Sequence, residues 1–233
     1  MCGLAGILMR PGLRPDPDQL RAMAATLAHR GPDDHGSHYH GPLGLTQTRL
    51  SIIGLATGHQ PMVSTDGQLT LAANGEVYNY LELNEELRRT GRHFLTDSDS
   101  ETILHAYAVH GLDCLARLRG MYAFALHDAR SGQLLLARDR LGIKPLFYVR
   151  LPDRIAFASE IKALLPCLPG RPEIDPGALR RFLQHQFAGG GGDRTPGHPP
   201  GAPRRGPDRP PGPQDRAPPL LVATQRHPPA HRP

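Results

Sequence analysis

Cys2-Gly3-Leu4-Ala5-Gly6-Ile7-Leu8-Met9, closed shortly afterwards by Pro11-Gly12, opens the chain behind Met1. From Gly3 to Met9 no side chain is polar, and the Pro-Gly pair ends the run. The segment is therefore predicted to be a buried strand that begins almost at the first residue. The residue just before that strand is a cysteine. Initiator methionine is generally removed when the next residue is small, and removal would give Cys2 a free α-amine beside its own thiol. A thiol of pKa ~8.5 and an α-amine of ~7.7–8.0 make a nucleophile and a base on one residue, as N-terminal nucleophile enzymes use them. By itself the signal is weak, because a Cys at position 2 is more often inert.

Outward from this opening, helical spacing of apolar residues follows the Asp16-Pro17-Asp18 start signal over Gln19–Leu27. Leu43–Leu50 and Leu69–Ala73 read as strands on either side of the turn residues Thr65-Asp66-Gly67. Tyr80–Arg89 and Ser100–His110 carry helical periodicity, the second with Ser98 or Asp99 as its cap. Met121–His127 and Gln133–Arg138 form a strand pair, and a further hairpin is predicted over Leu146–Phe157, turning near Pro152-Asp153. Asp175-Pro176 starts a last helix to Phe187, whose Leu179, Phe182, Leu183 and Phe187 form an apolar face that should pack on something. Strands joined by turns, with helices mostly in the first half, indicate an α+β layered domain and not an alternating βαβ array.

Composition divides the chain in two. Residues 2–187 read as one compact domain, whereas 188–233 is a run of Gly, Pro, Arg, Ala and His with no Lys, Glu, Phe, Tyr, Ile or Met. That tail holds seven arginines against three aspartates, so four of the formal +5 charges lie outside the domain. Such a composition cannot bury enough apolar area to fold and is expected to be disordered. It is also what GC-rich DNA gives when read out of frame, so an out-of-frame or truncated product is expected, with a genuine basic tail as the alternative. Three cysteines, at 2, 114 and 167, argue against a disulfide framework and suit a reducing cytosol. No stretch approaches the ~18 apolar residues of a membrane span, so a cytoplasmic protein without a membrane partner is expected. The thirteen histidines show no paired ligand spacing, and no metal site is expected in the domain.

Several motifs carry a family resemblance. Cys2-Gly3-Leu4-Ala5-Gly6-Ile7, His29-Arg30-Gly31-Pro32-Asp33 and Asn74-Gly75-Glu76-Val77-Tyr78-Asn79 resemble class II glutamine amidotransferases. Arg49-Leu50-Ser51-Ile52-Ile53, Gln60-Pro61-Met62 and Ser98-Asp99-Ser100-Glu101 are similar to the asparagine synthetase branch of that class. So are Arg138-Asp139-Arg140-Leu141-Gly142-Ile143-Lys144-Pro145-Leu146 and Ala158-Ser159-Glu160-Ile161-Lys162. The resemblance covers nearly all of residues 2–187 in the family's order.

It implies a four-layer αββα sandwich of two antiparallel sheets, the N-terminal nucleophile hydrolase fold, and a glutaminase with Cys2 as nucleophile. Glutamine as substrate needs a cation for its carboxylate, an anion for its ammonium and donors for the oxyanion. By resemblance Arg49 is the cation, Asp99 the anion, and Asn74 with Gly75 the oxyanion donors. Gly75 and Glu76 border the ammonium, while Leu50, Ser51, Ile52 and Ile53 line a wall. Taken alone, Arg49 reads more readily as a surface ion pair, Asp99 as a helix cap and Asn74-Gly75 as a turn.

Arg138-Asp139-Arg140 is assigned a structural part. The family continues into a domain that uses ATP and Mg to amidate aspartate, and no Ser-Gly-Gly-x-Asp-Ser pyrophosphate loop of that domain is present in this sequence. A synthetase domain and a homodimer partner are implied for full-length members. The alternatives are an amidotransferase serving another acceptor, or an inactive domain whose basic tail holds nucleic acid. The tail has no aromatic residue for stacking, so nucleic acid is not an expected partner.

Overall fold

In a computed structural model, which describes residues 1–51, 57–186 and 220–224, two five-stranded sheets stack face to face between helices. The first sheet has the order β2-β3-β1-β9-β8, with β1 at Gly3–Met9, β2 at Asp34–His40, β3 at Leu43–Arg49, β8 at Phe147–Arg150 and β9 at Arg154–Ala158. The second runs β10-β7-β6-β5-β4, with β4 at Met62–Val63, β5 at Leu69–Val77, β6 at Gly120–Asp128, β7 at Gln133–Arg138 and β10 at Leu220–Thr224. Helix α1, Pro17–Leu27, and a 3-10 turn at Ile161–Cys167 cover the first sheet, while α2, Tyr80–Arg89, and α3, Asp99–His110, cover the second. A short helix, α4, follows at Cys114–Arg117, and α5 spans Pro176–His185.

β1 is the middle strand of its sheet, antiparallel to β3 on one side and β9 on the other. Both of its faces are covered, which is why its sequence is uninterrupted apolar and not alternating. Ala5, Ile7 and Met9 pack under α1, and Leu4 and Leu8 meet Ala123, Ala125 and Leu136 of the opposite sheet. Each buried Leu or Ile contributes roughly 2 kcal/mol from apolar area. The outer layer of the second sheet packs Leu71, Tyr122, Phe124 and Leu126 against Leu83, Leu87 and Ile103 of α2 and α3.

The expected helices and strands are present, with ends shifted by a few residues. β2 was not anticipated: its sequence, Asp-His-Gly-Ser-His-Tyr-His, has no apolar alternation because it is an edge strand with half-buried and exposed side chains. β5 continues to Val77 and so passes straight through Asn74-Gly75, which is not a turn. The helix cap is Ser98, whose hydroxyl accepts from the Ser100 N–H, and not Asp99. Two corrections concern the tail. Leu220–Thr224 forms a strand, and it lies parallel to β7, so the second sheet is not wholly antiparallel. Those five residues are the tail's only apolar, β-compatible run, and Leu221 and Ala223 pack on the outer core while covering the open edge of β7. The rest of 188–233, with Phe187, lies outside the described residues. Leu179, Phe182 and Leu183 of α5, expected to pack on something, are exposed among the described residues.

The Arg138–Pro145 segment does have a structural part. The Asp139 carboxylate accepts the N–H groups of Tyr122 (3.2 Å), Leu141 (3.0 Å), Ile143 (3.0 Å) and Lys144 (3.2 Å). Arg138 closes the same loop by donating to the Lys144 and Gly142 carbonyls. Cys114 and Cys167 are buried, which pushes their thiols up to about 12 and about 11 and excludes reactive surface cysteines at both positions.

One buried histidine gives the fold a pH signature. His127 on β6 is 2% exposed, and neither ring nitrogen has a hydrogen-bond partner among the described residues. Burial first, and then the proximity of His40, push its pKa down to about 4 from 6.5. The unfolded chain therefore binds the extra proton first, and His127 costs stability as pH falls from 6.5 toward 4. In urea titrations, the wild type should lose up to about 1 kcal/mol per pH unit across this window through His127. His127→Leu should flatten that slope; an unchanged slope would contradict the assignment.

Candidate active site

The end of β1 places Cys2 at the rim of a cleft formed with the ends of β3 and β5 and the start of α3. Cys2 is half-buried, and its Sγ accepts from the Leu50 N–H at 3.4 Å and lies 3.5 Å from the Leu50 carbonyl. Its own carbonyl accepts from Arg30 Nε at 2.9 Å. The loop 29–33 thus reaches the first strand, and it also braces the segment after β3. Asp33 N–H donates to the Arg49 carbonyl at 3.1 Å, and the Asp33 carboxylate accepts the Ser51 N–H at 2.8 Å.

Arg49, the last residue of β3, is 4% exposed and lines the cleft with Leu50, so it is no surface ion pair. Across the cleft stands Asp99, the first residue of α3 and also 4% exposed. Its carboxylate accepts the Val77 N–H at 2.6 Å. Burial raises its pKa; the hydrogen bonds from Val77 and Ser100 and the charge of Arg49 offset part of that rise. Glu76 lines the same cleft, and its pKa is raised by burial and by Asp99, with Lys144 pulling the other way. The cleft therefore has a cationic wall and a wall of two carboxylates.

Between them the edge of β5 lies open. β4 pairs only with Thr70 and Leu71, so beyond Leu71 no strand accompanies β5 on that side among the described residues. Side chains take the place of the missing strand: Gln60 Oε1 accepts the Ala73 N–H at 2.6 Å, and Asp99 accepts the Val77 N–H. Alternate N–H groups of a strand point the same way, so the Gly75 N–H faces the cleft between these two. Its cross-strand partner Tyr122 cannot take it, because the Tyr122 N–H and carbonyl are both committed to Asp139 on the β7 side. Asn74 is 1% exposed, on the face of β5 turned to the first sheet, and its Nδ2 has no hydrogen-bond partner among the described residues. A buried donor without an acceptor costs about 1–3 kcal/mol, and a ligand oxygen would relieve it.

The structure thus brings Cys2, Arg49, Leu50, Gly75, Glu76 and Asp99 to one cleft, whereas Ser51 and Asn74 are not among the residues that line it. Ile52 and Ile53 lie outside the described residues. Gln60, Ser98 and Ser100 also line the cleft, and none of them was assigned to the substrate site from sequence. Both Gln60-Pro61-Met62 and the motif around Asp99 carried the family resemblance, which was the available signal. Among the described residues no group of three or more His, Cys, Asp or Glu is arranged to hold a metal ion. None of the described helices is long and apolar enough to cross a membrane.

A family model described as "Glutamine amidotransferase domain" matches residues 1–192. The chain is 39% identical over 190 residues to asparagine synthetase [glutamine-hydrolyzing] 1 of Bacillus subtilis, covering 80% of this chain and 30% of that protein. To asparagine synthetase [glutamine-hydrolyzing] 2 of the same organism it is 41% identical over 167 residues, covering 70% and 22%. The chain therefore spans less than a third of the length of these curated relatives. Among solved structures it is similar to glutamine phosphoribosylpyrophosphate amidotransferase from B. subtilis, complexed with ADP and GMP. That match has a TM-score of 0.58 at 25% identity and covers 76% of this chain and 46% of that one.

The geometry at Gly75 makes one demand of the sequence. Its φ is 138°, and a Cβ there would sit 2.0 Å from the Met121 carbonyl oxygen and 2.6 Å from Tyr122 Cα. Gly75→Ala should therefore destabilise the chain by roughly 2 kcal/mol or more in denaturant titration, since both the dihedral and the neighbouring backbone must give. A change below about 0.5 kcal/mol, the usual scatter of surface substitutions, would contradict this close approach.

Proposed function

The chain belongs to the glutamine amidotransferase domain family, and from that premise we propose that residues 2–187 hydrolyse the side-chain amide of glutamine as the ammonia-producing part of an asparagine synthetase. The observation that carries the reading is the convergence of Cys2, Arg49, Gly75 and Asp99, distant in sequence, on one cleft. The cleft offers a nucleophile, opposite charges for a zwitterion and donors for a developing oxyanion.

In this mechanism Met1 is removed and the Cys2 α-amine becomes the base. Arg49 takes the substrate carboxylate with its planar fork, and Asp99, flanked by Glu76, takes the ammonium. The α-amine accepts the thiol proton, through a water, as sulfur bonds to the amide carbon. The carbonyl oxygen becomes an oxyanion facing the Asn74 Nδ2 and the Gly75 N–H. Collapse breaks the C–N bond, the proton held by the α-amine goes to the leaving nitrogen, and ammonia departs. Water then adds to the thioester, giving up a proton to the same amine, and glutamate leaves as the thiol is restored.

In this reading the ammonia passes to an ATP- and magnesium-dependent synthetase region lying beyond the amidotransferase residues, with aspartate as acceptor. The exposed Leu141, Ile143, Leu179, Phe182 and Leu183 support an apolar partner layer. The names of the relatives support the choice of acceptor.

Ammonia release from glutamine should vanish in Cys2→Ala, and persistence would overturn the reading. Asn74→Ala should lower kcat by ~10²–10³. The pH profile of kcat/KM carries a further test. Asp99 must be ionised to hold the ammonium, and burial raises its pKa. The acid limb should therefore lie above the ordinary aspartate value of about 3.9 and shift or disappear in Asp99→Asn. An acid limb that is the same in wild type and Asp99→Asn would contradict the assignment.

A further inference from the structure

Antiparallel pairing of β1 with β9 ends at Ala5 opposite Ala158, but the contact between the two chains continues. The Ser159 N–H donates to the Leu4 carbonyl at 2.8 Å, and the Leu4 N–H donates to Ser159 Oγ at 3.0 Å. Glu160 follows directly in the chain. Its Oε1 accepts from Arg30 Nη1 at 2.8 Å and lies 2.9 Å from His29 Nε2; its Oε2 is 3.1 Å from Lys162 Nζ. The same Arg30 guanidinium grips the Cys2 carbonyl through Nε. A continuous path, Glu160 to Arg30 to Cys2, thus joins the end of the first sheet to the first residue of the mature chain.

From this path we propose that Glu160 is a positioning residue for the amidotransferase reaction: by fixing the Arg30 guanidinium it holds the Cys2 main chain, and so aims both the thiol and the α-amine. Once Met1 is gone, Cys2 has no preceding residue to fix it, and chain ends fray unless tied down. Its backbone contacts, together with the contact of its sulfur with Leu50, then set where sulfur and nitrogen point. Arg30 can serve as that tie because its side chain is 9% exposed and packs beside Gly3, where a Cβ would lie 3.3 Å from Arg30 Cδ.

A guanidinium so buried needs an anion. Its Nη2 already lacks a hydrogen-bond partner among the described residues, and Glu160 supplies the countercharge. Burial alone would raise the Glu160 pKa, but hydrogen bonds from Arg30, His29 and Lys162 bring it to about 2, so the carboxylate stays ionised at neutral pH. Without it the guanidinium would turn toward water and release Cys2.

The inference rests on the glutaminase reading and is tested in the full chain with Glu160→Ala and Glu160→Gln. Glu160→Ala should lower kcat for ammonia release roughly 10- to 100-fold, as misplacement by an ångström does, with KM for glutamine changed less than about twofold. Glu160→Gln keeps one acceptor oxygen for Arg30 and should retain part of the rate. Arg30→Ala should cost as much as Glu160→Ala, and the double variant no more than either, because the pair acts as a unit. The rate of Cys2 alkylation by iodoacetamide should rise in Glu160→Ala.

An unchanged kcat in a folded Glu160→Ala protein, a loss confined to KM, or additive losses in the double variant would overturn the proposal. If Glu160→Ala does not fold, Glu160→Gln carries the same comparison. Should the wild type itself release no ammonia, the glutaminase reading fails. The alkylation rates then decide the clamp alone, and equal rates overturn it.

Discussion

The hydrogen-bonded ladder on either side of β1 is the interaction on which everything else depends. A chain end is ordinarily the least ordered part of a domain, yet this one is the middle strand of a sheet, paired with β3 and β9 and covered on both faces. The pairing begins at Gly3 opposite Thr48, so Cys2 is the first residue outside it. Its thiol lies against Leu50, just past the end of β3, and its carbonyl against Arg30. Order at this end of the strand is supplied by long-range contacts.

The cleft depends on a second constraint, an interruption in the other sheet. β4 is only two residues long, and past it the N–H groups of Ala73 and Val77 are met by the side chains of Gln60 and Asp99. A full-length β4 would have filled this edge with main chain and left no opening. Asp99 therefore joins two tasks, completing the hydrogen bonding of β5 and lending negative charge to the cleft. That double use explains its burial, because a carboxylate taken from water needs donors nearby. Glu101 is a contrasting case on the same helix. Burial pushes its pKa up, but donors from His105, Leu95 and Thr96 bring it to about 2, so it fixes the loop before α3.

Much of this was legible in the sequence because the core elements have unmixed patterns. β1 is apolar throughout, α1 begins at an Asp-Pro signal, and β7 is a short run of leucines. Cys2, Arg49, Gly75, Glu76 and Asp99, which meet at the cleft, all lie in motifs that carried the resemblance, whereas Arg49 or Asp99 alone would sooner have read as an ion pair or a cap. β2 was not legible, because an edge strand has no core face to impose alternation. The continuation of β5 through Asn74-Gly75 was hidden because that dipeptide ordinarily marks a turn, and only the approach of Met121 and Tyr122 explains the glycine. Gln60 and Glu160 act through partners 13 and 130 residues away, at Ala73 and Arg30, which no local pattern encodes.

The central claim is chemical: a sulfur and an amine on one terminal residue carry out acyl transfer. It is tested most directly by mixing the purified chain with glutamine, quenching in acid during turnover and measuring the mass of the N-terminal proteolytic fragment. The account predicts a fragment that begins at Cys2 and carries a γ-glutamyl group in thioester linkage to that cysteine. Steady ammonia release by a protein that still begins with Met1, or whose acyl group sits on another residue, would contradict it.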